Sequence, residues 1–87
     1  MYRVKLSRSA GRYLASLTGN QQLRIAARLD ALALDPYSPG LSKPLHGKLE
    51  GRRASRVGDV RIVFRVVDLQ LLVFVVEIGP RGDVYKQ

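Results

Sequence analysis

Residues 52–65 read R-R-A-S-R-V-G-D-V-R-I-V-F-R, and the pairing within this stretch decides the fold. Gly58-Asp59 separates two β-prone runs, the pattern of a tight hairpin. Glycine at the first central position suits a type II′ turn. That turn pairs Val57 with Val60, Arg56 with Arg61, Ser55 with Ile62 and Ala54 with Val63. Arg53 then meets Phe64, and Arg52 meets Arg65. Side chains alternate between the faces of a strand, so one face carries Arg52, Ala54, Arg56, Arg61, Val63 and Arg65. The other, with Arg53, Ser55, Val57, Val60, Ile62, Phe64 and Val66, is the face expected to pack on helices. Four arginines thus share one face, two of them directly opposed, and no acidic residue of the same strand pair neutralises them. A like-charge pair across a sheet costs up to about 1 kcal/mol. A phosphate bound between the two would replace that cost with charge-assisted hydrogen bonds. One or two arginines on an outer face are ordinarily just solvated; four in this arrangement point to an anion site.

Outward from the hairpin, the pattern is that of an α+β domain. Tyr2, Val4 and Leu6 alternate with Arg3 and Lys5 in a first strand. Ser7 is placed to cap a helix running to about Leu17, with Ala10, Tyr13, Leu14 and Leu17 on one face. Gly19 is expected to close that helix and Asn20 to cap a second one running to Leu34. Leu23, Ala26, Ala27, Ala31 and Leu34 form its main apolar stripe, widened by Ile25, Leu29 and Leu32, so burial on more than one side is expected. The short link folds the helices into an antiparallel hairpin. Residues 36–51, with three prolines and three glycines, read as a long connector lying on the body through Leu41, Leu45 and Leu49. Strands at about 52–57, 60–67 and 71–78 follow, and Gly79-Pro80 is expected to end the last of them. The expectation is one domain over residues 1–87: an N-terminal strand, an antiparallel helical hairpin, then a three-stranded antiparallel meander with the helices on one sheet face.

Composition narrows the function classes. Fifteen Lys and Arg against seven Asp and Glu give a net charge of +8, an excess that attracts polyanions, nucleic acid above all. Eleven of the fifteen cations are arginine, whose planar fork suits phosphate. With no cysteine, disulfides and thiolate metal sites are excluded, which suits a reducing cytoplasm. No apolar run has the length of a signal peptide core or a membrane span, so a soluble cytoplasmic protein without a membrane partner is expected. The acids are scattered singly, so neither a paired-carboxylate hydrolase nor a carboxylate-held metal is expected, and no cofactor is called for. G-K-L-E-G lacks the spacing of a phosphate-binding P-loop. His46, the one histidine, has no neighbour in sequence placed to orient it as a base.

Three segments, K-P-L-H-G-K-L-E-G (43–51), R-V-G-D-V-R-I-V-F-R-V-V-D (56–68) and V-V-E-I-G-P-R-G-D-V-Y (75–85), together resemble the RelE family of bacterial toxins. The resemblance implies the toxin of a type II toxin–antitoxin system. Such a toxin is a metal-free endoribonuclease that enters the ribosomal A site and cuts mRNA by attack of a ribose 2′-hydroxyl on the adjacent phosphate. It also implies a cognate RelB-like antitoxin, small and acidic. By position, Arg61 would bind the scissile phosphate and Arg56 would be a transition-state cation. Arg81 would serve the leaving oxygen or the phosphate, and Tyr85 would orient or activate the 2′-hydroxyl. Lys43, Lys48, Arg52, Arg53 and Arg65 are the candidate RNA contacts around them. The family pattern carries a further basic residue two positions before Arg56, where this chain has Ala54, and usually a tyrosine where it has Val60.

Two other functions fit the same sequence. A ParE-like relative shares the fold and inhibits DNA gyrase; its chains tend to end in a pattern such as H-x-R-R-D, where this one has G-P-R-G-D-V-Y. A relative of weakened activity would bind RNA without cutting it, and Ala54 is the residue that speaks for it.

Overall fold

The computed structural model describes residues 1–80. In chain order these form β1 (Arg3–Leu6), α1 (Arg8–Ala15), α2 (Gly19–Leu34), β2 (Lys43–Pro44), β3 (Arg53–Val57), β4 (Val60–Val67) and β5 (Leu72–Pro80). Short 3₁₀ turns lie at Gly47–Leu49 and Asp68–Gln70. The strands make one sheet in the order β1-β5-β4-β3-β2, with β1 parallel to β5 and every other pair antiparallel. This is the expected α+β arrangement of meander and helix pair, with one addition. β2, inside the stretch read only as connector, adds a two-residue edge to β3. The last strand also runs on through Gly79 and Pro80, which pair with Arg61 and Val60, so this Gly-Pro does not stop it.

The hairpin has the register derived from its turn: Arg53 opposite Phe64, Ala54 opposite Val63, Ser55 opposite Ile62, Arg56 opposite Arg61 and Val57 opposite Val60. Gly58 takes φ +58°, a conformation that glycine adopts without the steric penalty a side chain would add. Asp59 keeps a negative φ, as a type II′ turn requires.

Between β4 and β5 the register shifts: Val63 stands opposite Glu77, but Phe64 opposite Val75, leaving Val76 as the extra residue of a bulge. The bulge reverses the alternation of β5. Val73 and Val75 point to the helices before it and Ile78 after it, all buried, while Glu77 turns outward and is exposed. Without it Glu77 would enter the core and Ile78 would leave it. Ser7 serves this irregularity and α1 together. Its Oγ accepts from the Ala10 amide at 3.1 Å as N-cap and donates to the Val76 carbonyl at 2.6 Å.

The helix pair packs on the face bearing Val60, Ile62, Phe64, Val73, Val75 and Ile78, and Ala10, Ile25, Leu29 and Leu32 close the core from above. Two expectations about α2 are corrected. Its cap is Thr18, which forms a capping box with Gln21: Thr18 Oγ1 accepts from the Gln21 amide and Gln21 Oε1 from the Thr18 amide. This satisfies two orphan donors at once, and Gly19 is the helix's first residue and does not close α1, which ends at Ala15. The buried stripe is Ile25, Leu29, Leu32 and Ala33; Leu23, Ala26, Ala27 and Leu34 are exposed. The helix therefore buries one side, the one that faces the sheet. In denaturant unfolding, Leu32→Ala (0% exposed) is expected to cost about 2–5 kcal/mol. Leu23→Ala (70% exposed) should stay within about 0.5 kcal/mol.

A polar clasp joins three distant segments at the end of the sheet remote from the hairpin turn. Asp68 accepts from the Tyr37 hydroxyl at 2.6 Å and from the Tyr2 hydroxyl at 2.7 Å. These two bonds favour the carboxylate and hold Asp68 below the usual carboxylate range. The same carboxylate pushes the Tyr37 phenol up to about 12 and raises that of Tyr2. The depressed acid contributes stability above its unfolded pKa that is lost as pH falls through the folded value. The raised phenol contributes stability below its unfolded pKa of 10 that is lost as pH climbs toward about 12. Asp68→Asn should therefore flatten both the acid limb and the alkaline limb of a stability-versus-pH profile measured by thermal unfolding.

Candidate phosphate-binding cleft

The connector after α2 becomes a wall because of Ser42 and Arg53. Buried Ser42 donates from Oγ to the Pro36 carbonyl at 2.7 Å and accepts from Arg53 Nε at 2.9 Å. Arg53 Nη2 adds a bond to the Ser42 carbonyl at 3.4 Å, and the guanidinium lies 5.2 Å from the centre of the Tyr37 ring, within cation–π range. So pinned, the chain delivers Lys43 onto β3, where it pairs with Ala54. Leu45 continues the contact through its amide, which donates to the Arg52 carbonyl at 2.8 Å.

Between this wall and the outer face of the hairpin lies a cleft of about 430 Å³. Arg28, Lys43, Arg56 and Arg61 line it with Ala54 and residues 39–42, and no carboxylate is among these lining residues. Its cations come from four elements: α2, β2, β3 and β4. Arg61 is the most enclosed, at 5% exposure, with Arg56 opposite it on one side and Gly79, which has no side chain to compete for space, on the other. A guanidinium keeps its charge inside proteins, so Arg61 sets a fixed cation in the cleft. Arg28 reaches over from the helix layer: its Nη1 donates to Ser55 Oγ and to the Arg56 carbonyl, both at 2.8 Å. One of its nitrogens is thereby committed to the β3 backbone, which orients the guanidinium plane beside Arg56. An anion with several acceptor oxygens is the complement of such a set.

Of the residues singled out from sequence, Arg56, Arg61 and Lys43 meet in this cleft. Arg65 lies on the same outer sheet face, exposed, opposite Phe74. Arg52 is half-buried just before β3. Arg53 is on the opposite face, opposite Phe64, with its guanidinium spent on Ser42 and Tyr37. Lys48 is exposed in the first 3₁₀ turn, away from the cleft lining, and His46 is exposed just before it. Arg81 and Tyr85 lie outside the described residues. Arg28 was not anticipated. Its signal is the spacing Arg24–Arg28, one helical turn apart: Arg24 lies along the hairpin turn, its Nη2 3.2 Å from where a Cβ on Gly58 would sit. β5 also adds an acid that the hairpin alone does not hold, since Glu77 stands on the outer face opposite Val63. Among the described residues no three His, Cys, Asp or Glu side chains gather into a metal site, and no helix is long and apolar enough to cross a membrane.

A helix pair on this mixed sheet is the architecture of toxins of the RelE/ParE superfamily of type II toxin–antitoxin systems. The RelBE2 toxin–antitoxin complex of Mycobacterium tuberculosis contains a chain that superposes with a TM-score of 0.82 at 25% identity, over 92% of this chain and 98% of that one. The RelE–RelB complex of Pyrococcus horikoshii gives 0.76 at 25% identity, over 93% and 96%. The isolated RelE toxin of E. coli shares the fold at 0.78 and 20% identity, over 98% and 92%. No curated protein matches the sequence significantly. Over residues 4–85 the sequence matches the family described as the ParE toxin of the type II toxin–antitoxin system parDE, and the chain belongs to that family.

Ser42 is the joint of the cleft wall, and Ser42→Ala would strand the Pro36 carbonyl and Arg53 Nε together. The substitution is expected to cost about 1–3 kcal/mol in chemical denaturation, against a change within about 0.5 kcal/mol for Asn20→Ala at an exposed position of α2.

Proposed function

We propose that this toxin is a ribosome-dependent mRNA endoribonuclease acting in the cytoplasm. The observation that carries the reading is the cleft itself: Arg61, enclosed and directly opposed by Arg56, with two further cations from other elements among its described lining residues. Such a set suits a phosphodiester whose charge grows during reaction. In the proposed step the ribose 2′-oxygen forms a bond to phosphorus as the bond from phosphorus to the 5′-oxygen breaks. The products are a 2′,3′-cyclic phosphate and a 5′-hydroxyl. The 2′-hydroxyl gives up its proton, and the leaving 5′-oxygen takes one up. Arg61 holds the scissile phosphate and Arg56 meets the charge that develops on its oxygens, the electrostatic work of an oxyanion hole. Arg81 is assigned to the leaving oxygen or the phosphate and Tyr85 to the 2′-hydroxyl. Arg52, Arg65 and Lys48 are assigned to the flanking RNA, whose contact would be strongly salt-dependent. No metal or other cofactor takes part in this scheme. Two of the solved relatives are complexes of RelE-type toxins with RelB-type antitoxins. A small acidic antitoxin of that kind is the proposed regulator of this chain, whose net charge of +8 it would complement.

The second reading is inhibition of DNA gyrase, and the family match favours it, because that family is the ParE one. Fold alone does not separate the two. Brief expression followed by primer extension on cellular mRNA distinguishes them. Under the first reading, cuts map to ribosome-bound codons, and Arg61→Ala abolishes them while the protein stays folded by circular dichroism. Intact mRNA accompanied by gyrase-dependent DNA breaks would establish the second reading in its place.

A further inference from the structure

The ladder between β2 and β3 sets Lys43 directly opposite Ala54, and the next ladder sets Ala54 opposite Val63. Cross-strand partners share a sheet face, so Lys43, Ala54 and Val63 form one row on the face that carries Arg56 and Arg61. Along that row Ala54 ends at a methyl group, is 7% exposed and lines the cleft; Lys43 is exposed and lines it too. Directly opposed Cβ atoms lie about 4.5–5.5 Å apart, and a lysine side chain has the length to lay its ammonium over an alanine neighbour. The short side chain at 54 thus leaves room that the long one at 43 can enter. Lys43 is held in this register by the bonds that Ser42 makes to Pro36 and Arg53.

We propose that Lys43, reaching from the edge strand over the short side chain of Ala54, contacts a phosphate oxygen of the bound strand beside Arg56 and Arg61. This rests on the cleft being a phosphate site. It goes beyond that reading in assigning charge and space to two different strands: Lys43 gives the first, Ala54 the second. The ligand class is a single-stranded nucleic acid backbone.

The test is binding of a fluorescent oligoribonucleotide, 2′-O-methylated throughout so that it cannot be cut, followed by anisotropy over a range of salt. For single strands each phosphate contact contributes about 0.7 to the slope of log K against log salt. Lys43→Gln is expected to weaken binding and flatten the slope by about 0.7, and Lys43→Arg to retain most of both. The exchange Lys43→Ala with Ala54→Lys should restore the slope. Arg12→Ala, an exposed cation on α1 on the opposite layer, should leave it unchanged. If Lys43→Gln leaves the slope as in the parent, or lowers it no more than Arg12→Ala does, the assignment fails. The phosphate site itself would still stand, provided Arg61→Ala abolishes binding. Absence of binding by the parent protein would overturn the assignment, and the phosphate site would then be judged by the ribosome primer-extension result for Arg61→Ala. Because the oligonucleotide is uncleavable and no ribosome is present, these outcomes do not depend on whether the toxin cuts mRNA.

Discussion

The register of β3 against β4 is the constraint on which the cleft depends. It is imposed by a two-residue turn in which Gly58 takes φ +58°. A slip of one residue would send every side chain of β3 to the other face, burying Arg56 among the core residues and exposing Ser55. With the register fixed, Arg56 and Arg61 must oppose each other. Ile62 and Phe64 must face the helices, and Arg53 must share their face, where its guanidinium bonds Ser42. Core and cleft are two faces of one pairing, so the hydrophobic energy that holds Ile62 and Phe64 against Ile25 and Leu32 also holds two like charges together. The repulsion is tolerated because the core outweighs it: burying a single such side chain is worth about 1.5–3 kcal/mol, against up to about 1 kcal/mol for the opposed arginines.

The second wall of the cleft is built on different physics. Residues 36–42 contain no regular helix or strand; buried Pro36 and half-buried Leu41, which packs against the core, anchor them, and directional bonds fix their course. Ser42 bridges Pro36 and Arg53, Tyr37 reaches Asp68, and Arg53 stacks on Tyr37. An arginine that composition alone would count toward nucleic acid binding is thereby spent inside the protein, where it positions the lysine that follows Ser42. Arg28 has a related part, tying α2 to the backbone of β3 beside Arg56. Net charge is thus a poor guide to which cations face a ligand. Their assignment follows from which strand face and which wall each one lands on.

Membership of a toxin family and a shared fold leave open which macromolecule is poisoned, since sites grafted on one fold carry unrelated activities. The physical distinction lies in what the cleft must do. A nuclease has to stabilise charge that appears only during reaction, and that requires preorganised cations close to one phosphate. An inhibitor of an enzyme needs a surface complementary to its target and no such concentration of charge at a point. The enclosed Arg61 opposite Arg56 is the feature of this chain that matches the first requirement.

The sequence by itself determined what depends on neighbours along the chain. The Gly58-Asp59 turn and strict alternation dictate the hairpin register, and Ser7 is legible as its helix cap. It misassigned the buried side of α2, because Leu23 and Leu34 are as apolar as Leu29 and Leu32 and only the sheet beneath selects between them. Tertiary structure alone decided the rest. β2 is two residues long and has no periodicity to read, and the bulge at Val76 shows only in the pairing of β5 with β4. The meeting of Arg28, Lys43, Arg56 and Arg61 joins residues up to 33 positions apart. Their common cleft exists because a hydrogen-bonded connector, a helix and two strands close around one alanine, and no local pattern encodes such a closure.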